Sequence, residues 1–109
     1  MKEITAIIQP SALSRVMQAL HALPNFPGVT LFDAHGQGLG RGTGGGFRPT
    51  EENFTFYKKT VLVINCEAAS ADLIANTLVR AAHTGRKGDG VVTIKDVASV
   101  IRIRVGQTR

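Results

Sequence analysis

The sequence predicts an α+β domain whose elements run βαββαβ, with an antiparallel sheet and a trailing strand at the C-terminal end. Three observations carry this. Two segments place apolar residues at helical spacing, and four β-rich segments surround them in that order. Proline and glycine clusters separate the segments, at Pro10, at "LPNFPG" and at "TGRKGDG". With 109 residues the chain forms a single domain (1–109), with room for one core and not two.

The elements follow in order. "EITAIIQ" alternates Ile4, Ala6 and Ile8 as a half-buried strand does, and Pro10 stops it. Leu13, Val16, Met17, Leu20 and Leu23 then trace one apolar stripe of a helix, with Ser11 expected as its N-cap. "LPNFPG" ends that helix and "VTLFDA" is a second strand. "FTFYKKTVLVINC" is a long third strand, so Tyr57 is expected at its beginning. Ser70 is expected to cap a second helix running to about His83, with Leu73, Ile74, Thr77, Leu78 and Ala81 on its sheet side. "VVTIKD" is a fourth strand and "SVIRIRV" a last one. This order is the ferredoxin-like plan.

One connection is too long for that plan. Residues 36–54 join strands two and three, where a hairpin usually takes about two to five residues. Its start, "GQGLGRGTGGG", holds seven of the chain's twelve glycines. Gly40, Gly42 and Gly45 satisfy G-x-G-x-x-G, but "GFRPTEENFTF" follows with Pro49 and no helical stripe, so a dinucleotide fingerprint is set aside. A loop of this length is expected to be functional or mobile.

Composition narrows the partners. The net charge of +5 lies wholly in residues 80–109, where seven Lys/Arg face only Asp89 and Asp96. An anionic partner is expected there, nucleic acid or a small phosphate ligand. One Tyr, no Trp and five Phe leave few platforms for stacking bases, which disfavours nucleic acid. The single cysteine, Cys66, allows no internal disulfide, suits a reducing cytoplasm and ends an apolar run as a buried thiol would. No apolar run approaches the ~20 residues that span a bilayer. "MKEITAIIQP" lacks the pattern of a signal peptide, so a cytoplasmic location is expected. His21, His35 and His83 are far apart and have no cysteine pairing, so no metal site is read from them. No acid/base pair or nucleophile motif is present, and no catalytic residue is assigned.

Phosphate chemistry gathers in two places. In "RAAHTGRKGDGVVTI" a helix ends, and Gly85, Gly88 and Gly90 permit positive φ and close backbone approach. Successive amides in such a turn make an anion-binding nest, with Arg86 and Lys87 beside it. In "RIR", Arg102 and Arg104 at spacing two are expected to project from one face of one strand, a geometry suited to gripping phosphate. A solvated basic edge strand is the alternative.

"HTGRKGDGVV" followed by "VIRIRVGQ" resembles the signature region of the PII signal-transduction proteins, the nitrogen-regulatory family. "MKEITAIIQPSALSRVMQAL" and "PGVTLFDAHGQG" resemble that family's first strand, first helix and second strand. The resemblance is specific in Thr84–Gly106 and looser elsewhere. It implies a compact homotrimer that is not an enzyme. Such a protein binds adenine nucleotide (ATP, ADP or AMP, with or without Mg) between subunits, and regulates an enzyme or membrane transporter through a flexible T-loop. Here 36–54 would be that T-loop, 84–90 the phosphate-binding loop and 100–106 the C-terminal strand and loop. The resemblance assigns Gly88, Asp89 and Gly90 to the phosphates by their backbone, with Arg102 and Arg104 opposite. It puts Thr30, Gly36, Gly38 and Ile8 along the pocket, and Lys59 (or Lys58) at the carboxylate effector 2-oxoglutarate.

Three departures bear on this. Val91 stands where the family has the lysine that reaches the terminal phosphate, which favours ADP or AMP over ATP unless Arg86 or Lys87 compensates. Gly40 stands where the family has the glutamine of the Mg–2-oxoglutarate assembly. No tyrosine falls within the T-loop. A divergent PII-like member is therefore expected. The alternative is a structural or metal-responsive trimer, linked to cation efflux, that has weak or no nucleotide binding.

Overall fold

The computed structural model describes residues 1–37 and 56–108. Strand β1 (Lys2–Ile8) is followed by a 3₁₀ turn at Pro10–Ala12, helix α1 (Leu13–His21), strand β2 (Thr30–Gly36) and strand β3 (Tyr57–Cys66). Helix α2 (Ala68–Ala82), strand β4 (Gly90–Asp96) and the two short strands β5 (Ile101–Arg102) and β6 (Gln107–Thr108) complete the chain. β1 to β4 form one antiparallel sheet in the order β2-β3-β1-β4. With both helices on one face, this is the ferredoxin-like arrangement.

The alternation in β1 fixes the core. Ile4, Ala6 and Ile8 are buried and pair with Ile64, Leu62 and Thr60 of β3, so these residues share the face that meets the helices. Val16 and Leu20 of α1 and Ile74 and Leu78 of α2 close over them. Each fully buried aliphatic side chain contributes about 1.5–3 kcal/mol relative to exposure. Cys66, buried at the end of β3, belongs to this core, and burial pushes its thiol above the usual range. The other face carries Glu3, Thr5 and Ile7 of β1, flanked by Val91, Thr93 and Lys95 of β4. Lys2 is paired with Asp96, and Lys95 with Glu3 at 3.2 Å, holding β4 to β1 at that end.

Both helix starts differ from the sequence expectation. Pro10 opens a 3₁₀ turn, closed by the Ala12 N–H donating to the Gln9 carbonyl at 2.9 Å, and α1 begins only at Leu13. Ser11 lies inside that turn and its side chain caps nothing. α2 begins at Ala68, two residues before Ser70, whose N–H donates to the Glu67 carbonyl at 3.0 Å. Ala71, Ile74, Ala75, Thr77, Leu78 and Ala82 are buried and Ala81 packs against the core, while Leu73, expected on the sheet side, is exposed. Thr77 is accommodated because its hydroxyl donates to the Leu73 carbonyl at 2.7 Å.

The last strand is also shorter than expected. Arg102 and Arg104 do not share a strand face: pairing ends at Arg102, opposite Gln107, and Arg104 lies in the turn between β5 and β6. Gly106, at φ +64°, lets the chain reverse, and the N–H groups of Val105 and Gly106 donate back to the Arg102 carbonyl.

β4 begins at a point where only glycine fits. Gly90 has φ +113° and pairs with Ile8, and a Cβ built on it would stand 1.8 Å from the Ile7 carbonyl oxygen. Gly90→Ala should therefore separate β4 from β1 at this end and cost at least ~2 kcal/mol of stability. Urea unfolding should show a clearly lower midpoint than wild type; an unchanged midpoint would mean that the strand can re-seat without loss.

Candidate functional site

The chain between α2 and β4 is built around one carboxylate. His83 leaves the helix at φ −66°, ψ 130°, its N–H still donating to the Val79 carbonyl at 3.0 Å. The next two amides, of Thr84 and Gly85, donate to Asp89 Oδ2 at 2.7 and 2.9 Å, and the Thr84 hydroxyl donates to Oδ1. The Arg86 N–H donates to Thr84 Oγ1 at 3.2 Å. Thr84, Gly85 and Arg86 thus close into a ring on Asp89, and positive φ at Gly85 and Gly88 lets so short a loop turn. The Thr84 hydroxyl, then the Thr84 and Gly85 amides, hold the Asp89 carboxyl below the usual carboxylate range. His83 Nδ1 lies 3.9 Å from Asp89 Oδ2.

Two side chains reach this loop from the sheet. Gln9 Nε2 donates to the Gly88 carbonyl at 2.6 Å and Lys59 Nζ donates to the same oxygen at 3.3 Å. Beneath the loop lies a cavity of about 140 Å³ walled by Ile8, Val79, Ala82 and Val92, with His83 and Asp89 at its polar side. Small-molecule sites usually measure about 300–1,000 Å³. The cavity in the single chain is therefore too small to enclose such a molecule.

Of the residues expected at the site, Ile8, Lys59, Gly88, Asp89 and Gly90 come together here. Gly36 ends β2 next to Lys59: a Cβ on it would stand 3.6 Å from Lys59 Cγ. Thr30 does not join them, because it begins β2 at the far end, about 20 Å from Gly36 at ~3.3 Å per residue. Arg86 and Lys87 are exposed in the loop. Arg102 and Arg104 are exposed on the β5–β6 hairpin, and among the described residues no hydrogen bond or ion pair ties them to the loop. Val91 points from the open face of the sheet and is 58% exposed. Gly38 and most of the 36–54 segment lie outside the described residues. Sequence reasoning missed Gln9 and Thr84. The available signal was strand order: pairing of Ile8 with Gly90 brings the residue after Ile8 beside the residues before Gly90.

The family model for "Nitrogen regulatory protein P-II" matches residues 1–107. The chain belongs to the P-II family. The nitrogen regulatory protein P-II of Azospirillum brasilense is 36% identical over 107 residues, covering 98% of this chain and 95% of that protein. P-II 2 of Methanothermobacter thermautotrophicus is 35% identical over 108 residues, 99% and 93% of the two chains. P-II 1 of Escherichia coli K12 is 37% identical over 107 residues, 98% and 95%. P-II proteins are regulatory signal transducers that act on partner proteins, and this member keeps the ferredoxin-like core intact from β1 to β4. Among the described residues no helix is long and apolar enough to cross a membrane, and no cluster of three His, Cys, Asp or Glu is placed to hold a metal.

The Asp89 ring makes a pH prediction with a definite sign. A carboxyl depressed in the folded state contributes stability above the unfolded pKa, and that contribution is lost as pH falls through the lower folded pKa. In this P-II protein, the loss of stability as pH falls below the ordinary aspartate pKa of about 4 should be less steep in Asp89→Asn than in wild type. Equilibrium unfolding at stepped pH measures this; parallel curves for the two proteins would remove the carboxylate from its role in closing the loop.

Proposed function

We propose that this P-II protein is a non-enzymatic sensor of adenine nucleotide, with the phosphates seated on the loop 84–90. The observation that carries the reading is the ring closed on Asp89. It satisfies the loop's acidic group internally and leaves Arg86 and Lys87 as exposed cations beside a glycine backbone that a phosphate can approach. The Asp89 carboxylate keeps its negative charge, held against the Thr84 and Gly85 amides, and the cations of Arg86 and Lys87 outweigh it within the loop.

The ligand needs a second wall. Large apolar residues stand exposed on the single chain, among them Phe32 at 50%, Val91 at 58% and Ile103 at 99%. Such surface favours association, and a homotrimer would bring Thr30, Arg102 and Arg104 of neighbouring copies to the open side of the cavity. Val91 supplies no charge toward a terminal phosphate, which supports ADP or AMP over Mg–ATP. The 36–54 segment joins the end of β2 to β3 beside Lys59. Ligand at the loop would then shift the segment's conformers, and with them its affinity for a regulated enzyme or transporter.

Calorimetry with ATP, ADP and AMP tests the reading directly. At least one should bind wild type, and Arg102→Ala should weaken it roughly 10- to 150-fold, the loss expected of a charge-assisted hydrogen bond worth about 1.5–3 kcal/mol. If none of the three binds wild type, the protein is not a nucleotide sensor.

A further inference from the structure

We infer that Gln9 and Lys59 are positioning residues, holding the Gly88–Asp89 peptide so that the Asp89 N–H faces away from these two side chains as a donor to bound phosphate. The inference rests on the phosphate reading above for its ligand, and on hydrogen bonds within the chain for its geometry.

The Gly88 carbonyl has two lone pairs, and two donors converge on it, Gln9 Nε2 at 2.6 Å and Lys59 Nζ at 3.3 Å. The donors come from different strands. Gln9 follows Ile8 in extended backbone (φ −66°, ψ 137°), so the alternation of β1 continues and turns its side chain from the helix face to the open face. Lys59 precedes the buried Thr60 of β3 and so points to the same open face. Both therefore draw the Gly88 oxygen toward that side.

In a trans peptide the carbonyl and the following N–H point in opposite directions. No peptide bond among the described residues is cis. With the Gly88 oxygen held against Gln9 and Lys59, the Asp89 N–H is turned away from them. Among the described residues no hydrogen bond uses that N–H. The Asp89 carboxylate meanwhile is held back toward Thr84 and Gly85, so the same residue presents its amide outward and keeps its charge inward. Gly88 is fitted to this hold: it has φ +87°, and a Cβ on it would stand 2.9 Å from Gln9 Nε2. The alternative orientation, with the peptide flipped, would aim a carbonyl oxygen at an incoming anion. The hold excludes it.

The test uses the full chain and pyrophosphate as probe, followed by amide NMR. Gln9→Leu keeps the side chain's approximate size and removes the donor, while Gln9→Lys restores a donor. In wild type the Asp89 amide resonance should move on titration with pyrophosphate. In Gln9→Leu the ligand-free Gly88 and Asp89 resonances should already be displaced, and pyrophosphate should bind about tenfold more weakly or worse, the cost of one misdirected donor to an anion. Gln9→Lys should bring back both the resonances and the affinity, a rescue that a purely packing role would not give. Gln9→Leu combined with Lys59→Met should lose less than the sum of the two single losses, because both act on one oxygen. Wild-type affinity and unmoved resonances in Gln9→Leu would overturn the inference, as would displaced resonances with unchanged affinity. If wild type binds neither pyrophosphate nor nucleotide, the phosphate reading itself fails. The ligand-free resonances of Gln9→Leu then decide the peptide hold alone, unmoved signals overturning it.

Discussion

The functional end of the sheet depends on one close approach of backbone to backbone, Gly90 against the Ile7 carbonyl. β4 can pair along the whole of β1 only because nothing projects from Gly90 into that oxygen. This contact sets the height at which the preceding loop leaves the sheet. It places Asp89 over Ile8, and it brings Gly88 within reach of Gln9 and Lys59. A side chain at this one position would displace both the floor of the cavity and the loop that Gln9 and Lys59 hold.

Above that contact the loop is organised by opposite demands met in a single residue. The Asp89 carboxylate is an acceptor that gathers the amides of Thr84 and Gly85 and the Thr84 hydroxyl, drawing the end of α2 toward the start of β4. Glycines supply the backbone freedom this requires at Gly85 and Gly88, where positive φ would strain another residue. The loop's shape is thus specified from within by Asp89 and from the sheet by Gln9 and Lys59. The P-II family membership gives that shape its context as a regulatory protein.

Much of this was legible in the sequence where the signal is local. Ile4, Ala6 and Ile8 alternate because one face of β1 is core, and glycine punctuation marks 85–90 as a tight turn. The helix starts were less legible, because serine is both a good cap and a tolerated first-turn residue. At Ser11 the fixed φ of Pro10 had already opened a 3₁₀ turn, and at Ser70 the helix had begun two residues earlier. In α2, Ile74 and Leu78 are buried as their spacing implies, but Ala71 is buried and Leu73 exposed, because apolar spacing marks the centre of a stripe better than its edge. The alternation in "RIR" misled for a different reason. Period-two patterning does not report where a hairpin turns, and Gly106 was the residue that did. Gln9 was invisible because its role exists only through a partner 79 residues away.

That separation has a consequence for how the protein comes into being. The bonds that shape the loop join Gln9 to Gly88 across 79 residues, and Thr93 reaches back to Thr5 across 88. Contacts of such long range are entropically costly to close and form late relative to helices and local turns. α1 and α2 can gain structure early, but the loop's geometry must wait until the last strand of the sheet has docked beside the first. Until β4 pairs with β1, the Gln9–Gly88 bond cannot form. Closure of the loop and completion of the sheet are therefore a single event in this molecule, because the residue that follows β1 holds the residues that precede β4.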